Sequence, residues 1–389
     1  MIQVCRNGVI SEPSANRSPR YWSLDILRGI CALSVFLNHW PLWSNFTPVG
    51  AVQASIHLGL ERAYYVFISL FWPTGGQHPA LIGFFVLSGF CVHAPFERRI
   101  GQPGAAIDWR EYFTRRIGRI MPVYWAGVLL GLVVMAAEQW RTAGDPLLML
   151  HTAATPVQVA ARLGGWAGLW PEEIFAGNYI LNTVGVEILI YLAYPFFFRA
   201  AAAGHWWLLG TIAIGLQLLA LTLRDLVNPF VLYTSVLIMG LFWYLGALAA
   251  HLRAKHGWRV PGWWLGALWA LFLCLQMTPH FFGLNMIKQL VWGLLCMVGI
   301  VWLIDWEQRN EARREHLLPR LLRWTGEISY PLYAVHTPVI LLVNWGLLTL
   351  ASSRSYAWQL SLNLLLPIAV TLAVHHGIER RFYRPRRGG

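Results

Sequence analysis

Charged residues are scarce in this chain of 389 residues: 12% of the positions are Asp, Glu, Lys or Arg, and 57% are apolar. This balance excludes a disordered protein, because disordered chains are rich in charge and poor in apolar residues. Cysteine is also rare, with five residues that lie singly and without the paired spacing of a disulfide framework or a zinc site. We therefore predict packing roles for the cysteines and no metal centre.

Several sequence motifs of soluble enzymes are missing as well. The chain has no nucleophile elbow, P-loop, dinucleotide fingerprint or His-Glu-x-x-His motif, so a hydrolase, NTPase, dehydrogenase or metalloprotease lacks support. No permanently bound cofactor is predicted. The net charge of +12 would suggest an anionic partner in a soluble protein, but nucleic acid is not an expected partner of a chain this apolar.

Long apolar runs are abundant, and each is about the length that spans the hydrocarbon core of a bilayer. Read against their charged and Pro/Gly-containing breaks, they predict ten helices, near 22–42, 80–95, 117–137, 178–198, 206–222, 231–251, 263–279, 288–305, 328–350 and 357–378. The segment 51–72 is compatible with a re-entrant, an interfacial or a spanning element. The predicted fold is an all-α polytopic membrane bundle of about ten transmembrane helices, surrounded by membrane lipids.

The basic residues indicate the orientation of this bundle. With the N-terminus inside, the inner segments hold 23 Lys and Arg residues and the outer segments hold six. Because basic residues concentrate in cytoplasmic loops, we predict that both termini are cytoplasmic. The chain then divides into a polar cytoplasmic tail at 1–20, a transmembrane domain at 21–382 and a basic cytoplasmic tail at 383–389.

The first predicted helix contains two ionisable residues, Arg28 and His39, whose burial in a bilayer costs free energy. They are three helical turns apart, on roughly one face, with Arg28 toward the cytoplasmic mouth and His39 toward the outer half. Separately, Arg28 would snorkel to the headgroups and His39 would be interfacial. Together they indicate a site in which Arg28 holds an anion and His39 takes a proton, since histidine is the side chain that acts as a base near neutral pH.

An arginine cluster opens the third predicted helix from the cytoplasmic side. Arg115, Arg116 and Arg119 have the three- and four-residue spacing that places side chains on one helix face. Converging arginines at a helix N-terminus suit a phosphate group. The alternative for any one of them is the ordinary excess of basic residues on the inner side of a membrane protein.

Two further helices carry polar residues at membrane depth. Glu187 lies about 13 Å below the outer end of its predicted helix, and a carboxylate there is a candidate site residue because burying it is expensive. Tyr330, Tyr333 and His336 recur at three-residue spacing on the ninth predicted helix. They are candidates for substrate binding, and the alternative is a polar stripe between packed helices.

Seven segments in a fixed order now suggest a family. They are LDILRGICALSVFLNH at 24–39, FFVLSGF at 84–90, RRIGRIMPVYW at 115–125, Glu187 followed by YLAYP, FWYLGALAA at 242–250, ISYPLYAVHTPV at 328–339 and IER at 378–380. From about Tyr21 to Phe382 the chain resembles the acyltransferase 3 family of integral-membrane O-acyltransferases. One departure is NTVGVE before and at Glu187, where the family usually has Trp-Ser/Thr-Leu-x-x-Glu.

The resemblance implies a ten-helix domain that uses cytoplasmic acyl-CoA, acetyl-CoA first of all, as a co-substrate. It implies essential roles for the positions of Arg28 and His39 and for the arginine cluster. It also implies a carbohydrate or glycolipid acceptor, such as an exopolysaccharide, O-antigen or Nod factor, and a location in the bacterial inner membrane. We predict His39 and Glu187 as catalytic, Arg28 and the cluster as donor-binding, and Tyr330, Tyr333 and His336 as substrate-binding.

Two other functions use the same residues differently. A proton-coupled transporter or flippase would use the buried His, Glu and Arg as a relay and would need alternating access. A scaffolding protein would tolerate the loss of His39.

Overall fold

The computed structural model describes residues 21–43, 55, 58–59, 62–63, 78–97, 100, 107–143, 156–165, 177–227, 232–310, 313, 316–350 and 356–382. The described helices are α1 (Trp22–Trp43), α2 (Pro79–Glu97), α3 (Trp109–Ala143), α4 (Pro156–Leu163), α5 (Leu181–Ala202), α6 (Trp206–Leu223), α7 (Val236–His256), α8 (Trp263–Gln276), α9 (Phe282–Arg309), α10 (Leu317–Glu327), α11 (Ser329–Leu350) and α12 (Tyr356–Val374). A π-helical turn at His375–Glu379 continues α12 into a last helical turn at Arg380–Phe382. The described part of the chain contains no strand, which confirms the all-α class.

Seven helical segments in the described ranges are long and apolar enough to cross a membrane. They are Pro79–Glu97, Trp109–Ala137, Leu181–Ala202, Trp206–Leu223, Val236–His256, Phe282–Arg309 and Leu360–Phe382. The helix α1 is not among these segments, and its polar and charged side chains include Asp25, Arg28, Asn38 and His39. The protein is therefore an integral membrane protein, while the count of about ten spans and the cytoplasmic termini stay predictions. The segment 51–72 lies almost entirely outside the described residues.

Several helix boundaries differ from the sequence prediction, and α3 differs most. It begins at Trp109, eight residues before the predicted start. Asp108 explains this start, because its carboxylate accepts the backbone N–H of Glu111 at 3.0 Å and so caps the helix. The amphipathic helix α10 and the short helix α4 were not predicted, since each is shorter than a span.

The helices α2 and α7 cross at close range. A Cβ atom at Gly89 would collide with the Trp243 carbonyl, and one at Gly246 would collide with the Val86 carbonyl. Two glycines on facing helices thus let the backbones approach more closely than any side chain would allow, as small residues do between membrane helices.

The start of α1 is fixed by a distant carboxylate. Glu307, near the end of α9, accepts the backbone N–H groups of Trp22 at 3.1 Å and Ser23 at 2.9 Å, and the Ser23 hydroxyl at 2.6 Å. The first N–H groups of a helix have no partner inside it, so a buried carboxylate at this end satisfies them and favours the helix dipole. This contact holds the helix that carries Arg28 and His39 in one position.

Candidate active site

A cavity of about 110 Å³ lies between α1, α2, α3, α5 and α11. An engineered cavity of roughly 150 Å³ holds one benzene molecule, so this cavity accommodates a small group or a thin chain and no nucleotide. Six of the predicted site residues line it: Arg28, Arg116, Arg119, Glu187, Tyr330 and Tyr333. Three guanidinium groups against one carboxylate make its lining favourable to an anion.

The arginines of the cavity are held by their neighbours. Arg28 donates to the Asp25 carboxylate at 2.8 Å and points a second nitrogen at the Cys91 sulfur, 3.9 Å away. The Arg116 guanidinium lies over the ring of Tyr191, 5.2 Å from its centroid, a favourable cation–π distance. These contacts fix the two guanidinium groups before any ligand arrives.

Glu187 faces the cavity through a small hydrogen-bond network. Its Oε1 atom accepts the Ser88 hydroxyl at 2.7 Å and also the Tyr191 hydroxyl. The carboxylate thus joins α5 to α2, with Arg116 next to the same tyrosine. Two hydroxyl groups, one from each helix, thus hold the carboxylate at the cavity wall.

A second polar centre lies beside the cavity and consists of two histidines. His39 Nδ1 is 2.8 Å from His336 Nε2, and the two rings are inclined by 13°. His336 Nδ1 is 2.7 Å from the carbonyl oxygen of Leu332, and His39 Nε2 is 2.9 Å from the Tyr179 hydroxyl. Both histidines are buried, with 8% of His39 and none of His336 exposed.

The Leu332 carbonyl determines the direction of the hydrogen bonds that link His336, His39 and Tyr179. A carbonyl only accepts, so a neutral His336 carries its proton on Nδ1 and offers a lone pair on Nε2. His39 must then donate from Nδ1, which leaves the lone pair of His39 on Nε2. The Tyr179 hydroxyl donates to that lone pair. His39 is therefore held in the tautomer of a base whose basic nitrogen points at Tyr179.

Tyr333 connects the two centres. It lines the cavity, its hydroxyl lies 2.6 Å from the Thr183 hydroxyl, and its ring centroid lies 6.4 Å from that of His336. Tyr330, one turn earlier on α11, lines the same cavity and donates its hydroxyl to the Ile120 carbonyl at 2.8 Å. The anion-favouring cavity thus ends at a wall that packs against the histidine pair.

The structure separates two residues from the groups in which the sequence placed them. Arg115 is not among the residues that line the cavity: its side chain is 64% exposed and pairs with Glu111 on the same helix. Because α3 starts at Trp109, Arg116 and Arg119 lie two or more turns inside it, so they do not combine with the helix N-terminus as expected. His336 binds His39, whereas the described hydrogen bonds of Glu187 go to Ser88 and Tyr191.

Sequence reasoning missed four residues of the site, namely Ser88, Tyr179, Thr183 and Tyr191. A single hydroxyl on a helix costs little to bury, so such residues give no signal comparable to a buried charge. Spacing could have found one of them, since Tyr191 follows Glu187 by four residues and therefore shares its helix face.

Another buried polar cluster lies away from the cavity. Glu97 bridges His93 at 2.7 Å and His251 at 2.6 Å, and Trp206 stacks on His251 with a centroid distance of 4.3 Å. This cluster ties α2 to α7 and α6. In the described ranges, no three His, Cys, Asp or Glu side chains are placed to hold a metal ion.

An apolar helical bundle with an arginine-lined cavity and a buried histidine pair defines a membrane protein with a polar site between its helices. A comparison with protein families identifies which one. The family described as an acyltransferase domain, acyltransferase 3, matches residues 21–375, so the chain belongs to this family and is a membrane acyltransferase. Comparisons with curated proteins and with solved structures returned no match.

Proposed function

We propose that this protein transfers an acyl group from cytoplasmic acyl-CoA to a hydroxyl of a carbohydrate or glycolipid, and that the acyl group is acetyl. The observation that carries this proposal is the arginine-lined cavity that ends beside a histidine held as a base. The proposed location is the bacterial inner membrane, with the donor inside and an acceptor such as an exopolysaccharide, O-antigen or Nod factor outside.

The donor end of the site consists of Arg28, Arg116 and Arg119. Guanidinium groups form paired, charge-assisted hydrogen bonds with phosphate oxygens, which a lysine does not. In this proposal they hold the phosphates of acyl-CoA at the cavity mouth, and the thioester end of the pantetheine arm enters the cavity. Arg115, exposed and paired with Glu111, contributes at most to the outer rim.

The chemical step belongs to His39. Its Nε2 atom takes the proton as the acceptor oxygen attacks the thioester carbonyl, and the same nitrogen returns a proton to the departing thiolate. His336 stabilises the protonated ring, because His39 Nδ1 donates to it at 2.8 Å. Glu187 keeps Ser88 and Tyr191 in place along the donor path, and Tyr330 and Tyr333 line the part of the cavity where the acyl group arrives.

The test uses membrane vesicles that contain the wild type, His39→Ala or His205→Ala. His205 is a matched control because it is exposed and its side chain caps nothing. Vesicles are incubated with acetyl-CoA labelled in the acetyl group and with envelope extract, and label in the glycan and lipid fractions is counted.

We expect label with the wild type and with His205→Ala, and none above background with His39→Ala. Label that enters the vesicle lumen without covalent transfer would favour a transporter and overturn the proposal. Transfer that persists in His39→Ala would overturn the assignment of the base.

A further inference from the structure

Tyr179 occupies the one lone pair on which the proposed chemistry depends. With the Leu332 carbonyl fixing His336 and His336 fixing His39, the lone pair of the His39 ring is on Nε2, and the Tyr179 hydroxyl lies 2.9 Å from it. An imidazole nitrogen accepts one strong hydrogen bond. An acceptor hydroxyl must therefore either displace Tyr179 or react through it.

Exposure indicates which of the two applies. His39 is 8% exposed, whereas Tyr179 is half-buried and precedes α5 by two residues. Tyr179 is thus the more exposed of the two residues, and its hydroxyl covers the basic nitrogen of His39. A group that approaches His39 from this side meets the Tyr179 hydroxyl first.

The position of Tyr179 is fixed by its neighbour in the chain. Asn178 is fully buried, and its side-chain nitrogen donates to the carbonyl of Gly127 at 3.1 Å and to that of Ala334 at 2.8 Å. Those two carbonyls belong to α3 and α11. Because the backbone beside Tyr179 is held from both sides, the phenol can leave His39 only by rotating its side chain out of its edge-on packing against the His39 ring. Reaction through the preorganised phenol is therefore favoured.

We propose that Tyr179 is a catalytic residue, the acceptor-facing end of a proton relay formed with His39 and His336; this inference rests on the proposed function. The acceptor oxygen forms the new bond to the thioester carbon and gives its proton to Tyr179 Oη, while the proton of Tyr179 passes to His39 Nε2. The carbon–sulfur bond breaks, and the thiolate of CoA receives the proton back from His39 along the same path. No atom changes its oxidation state in this step.

The phenol has the properties that a relay requires. Burial, followed by the neighbouring Tyr333, raises the pKa of Tyr179, so it keeps its proton until the acceptor supplies another. The ring of Tyr179 also packs edge-on against His39, with centroids 5.9 Å apart. Tyr179→Phe would keep this packing and remove the hydroxyl alone.

The experiment compares purified wild type, Tyr179→Phe, His39→Ala and Tyr244→Phe in lipid nanodiscs. Tyr244 is the matched control, since its hydroxyl donates to a backbone carbonyl, that of Trp206, at 3.1 Å and lies outside the site. The rate of transfer from labelled acetyl-CoA to envelope extract and the dissociation constant of CoA are measured for each. General acid–base groups contribute about 10²–10⁴-fold to a rate.

We expect Tyr179→Phe to lose roughly 100-fold or more in transfer rate with unchanged CoA affinity, and Tyr244→Phe to match the wild type. In a single turnover, the wild-type rate should vary non-linearly with the deuterium fraction of the solvent, because two protons move in the same step. A Tyr179→Phe rate close to the wild type, or a linear solvent dependence, overturns the relay and leaves the proposed function intact. Absence of transfer and of CoA binding in the wild type overturns the proposed function itself.

Discussion

The three arginines of the predicted cluster, Arg115, Arg116 and Arg119, should contribute unequally to donor binding. Arg116 and Arg119 line the cavity, whereas the Arg115 side chain is 64% exposed and pairs with Glu111. If the cavity holds the phosphates of CoA, then Arg116→Ala and Arg119→Ala each remove a charge-assisted hydrogen bond and Arg115→Ala does not. The sequence alone treats the three as one cluster, so their separation tests the structure.

The expected magnitudes follow from the environment of each side chain. A hydrogen bond to a charged group is worth about 1.5–3 kcal/mol, which weakens CoA binding by roughly 10- to 150-fold for Arg116→Ala or Arg119→Ala. An exposed ion pair is worth about 0–1 kcal/mol, so Arg115→Ala should change the dissociation constant by less than about five-fold.

The assay is calorimetric titration of CoA into protein in lipid nanodiscs at two salt concentrations, with thermal unfolding as a control for folding. The unfolding control matters most for Arg116→Ala, which also loses its contact with the Tyr191 ring. Equal weakening by all three variants would mean that CoA is held at the surface of α3, and the cavity would then not be the donor site.

Three further outcomes are expected. His336→Ala should lower acyl transfer by roughly 10²–10⁴-fold at unchanged CoA affinity, because His39 loses the acceptor that fixes its tautomer; a wild-type rate would contradict this. Gly246→Ala should lower the free energy of unfolding of the protein in detergent, measured by thermal unfolding, by about 1–3 kcal/mol, because the new methyl group collides with α2. Gly240→Ala on the same helix should leave it unchanged, because a Cβ atom there meets nothing within 4 Å. Acetyl phosphate should fail to replace acetyl-CoA in the transfer assay, because its phosphate and acyl carbon are too close together to reach both ends of the site.

The site residues that the sequence predicts are those whose burial in a membrane costs the most free energy. Arg28, His39, Glu187 and His336 are found from the sequence because a charge or an imidazole within a span needs a partner or a polar cavity. Their partners are harder to find, since contact between residues on different helices depends on which helices pack together. The pairing of His39 with His336, 297 positions apart, is a fact of this packing and has no signal in a single sequence.

Some of what was missed had a local signal. The early start of α3 is indicated by Asp108 followed three residues later by Glu111, a pattern typical of helix N-termini, which places Arg116 and Arg119 well inside the helix. Tyr179 had no such signal. It precedes its helix, it carries no charge, and its importance arises only from the lone pair that two histidines and a carbonyl direct toward it.

The length of the site argues for the kind of donor it takes. Arg28 and His39 are eleven residues apart on α1, a rise of about 16 Å. Glu187 on α5 lines the cavity, and Tyr179, eight residues earlier and two residues before α5, contacts His39. A donor that engages both ends must carry its negative charge far from its reactive carbonyl, on a chain thin enough for a cavity of about 110 Å³. A coenzyme A thioester has this form, with its phosphates and its thioester at opposite ends of the pantetheine arm. Under the proposed function, the separation set by helical rise therefore favours a coenzyme A thioester as the donor, with the arginines at its phosphate end and His39 at its thioester end.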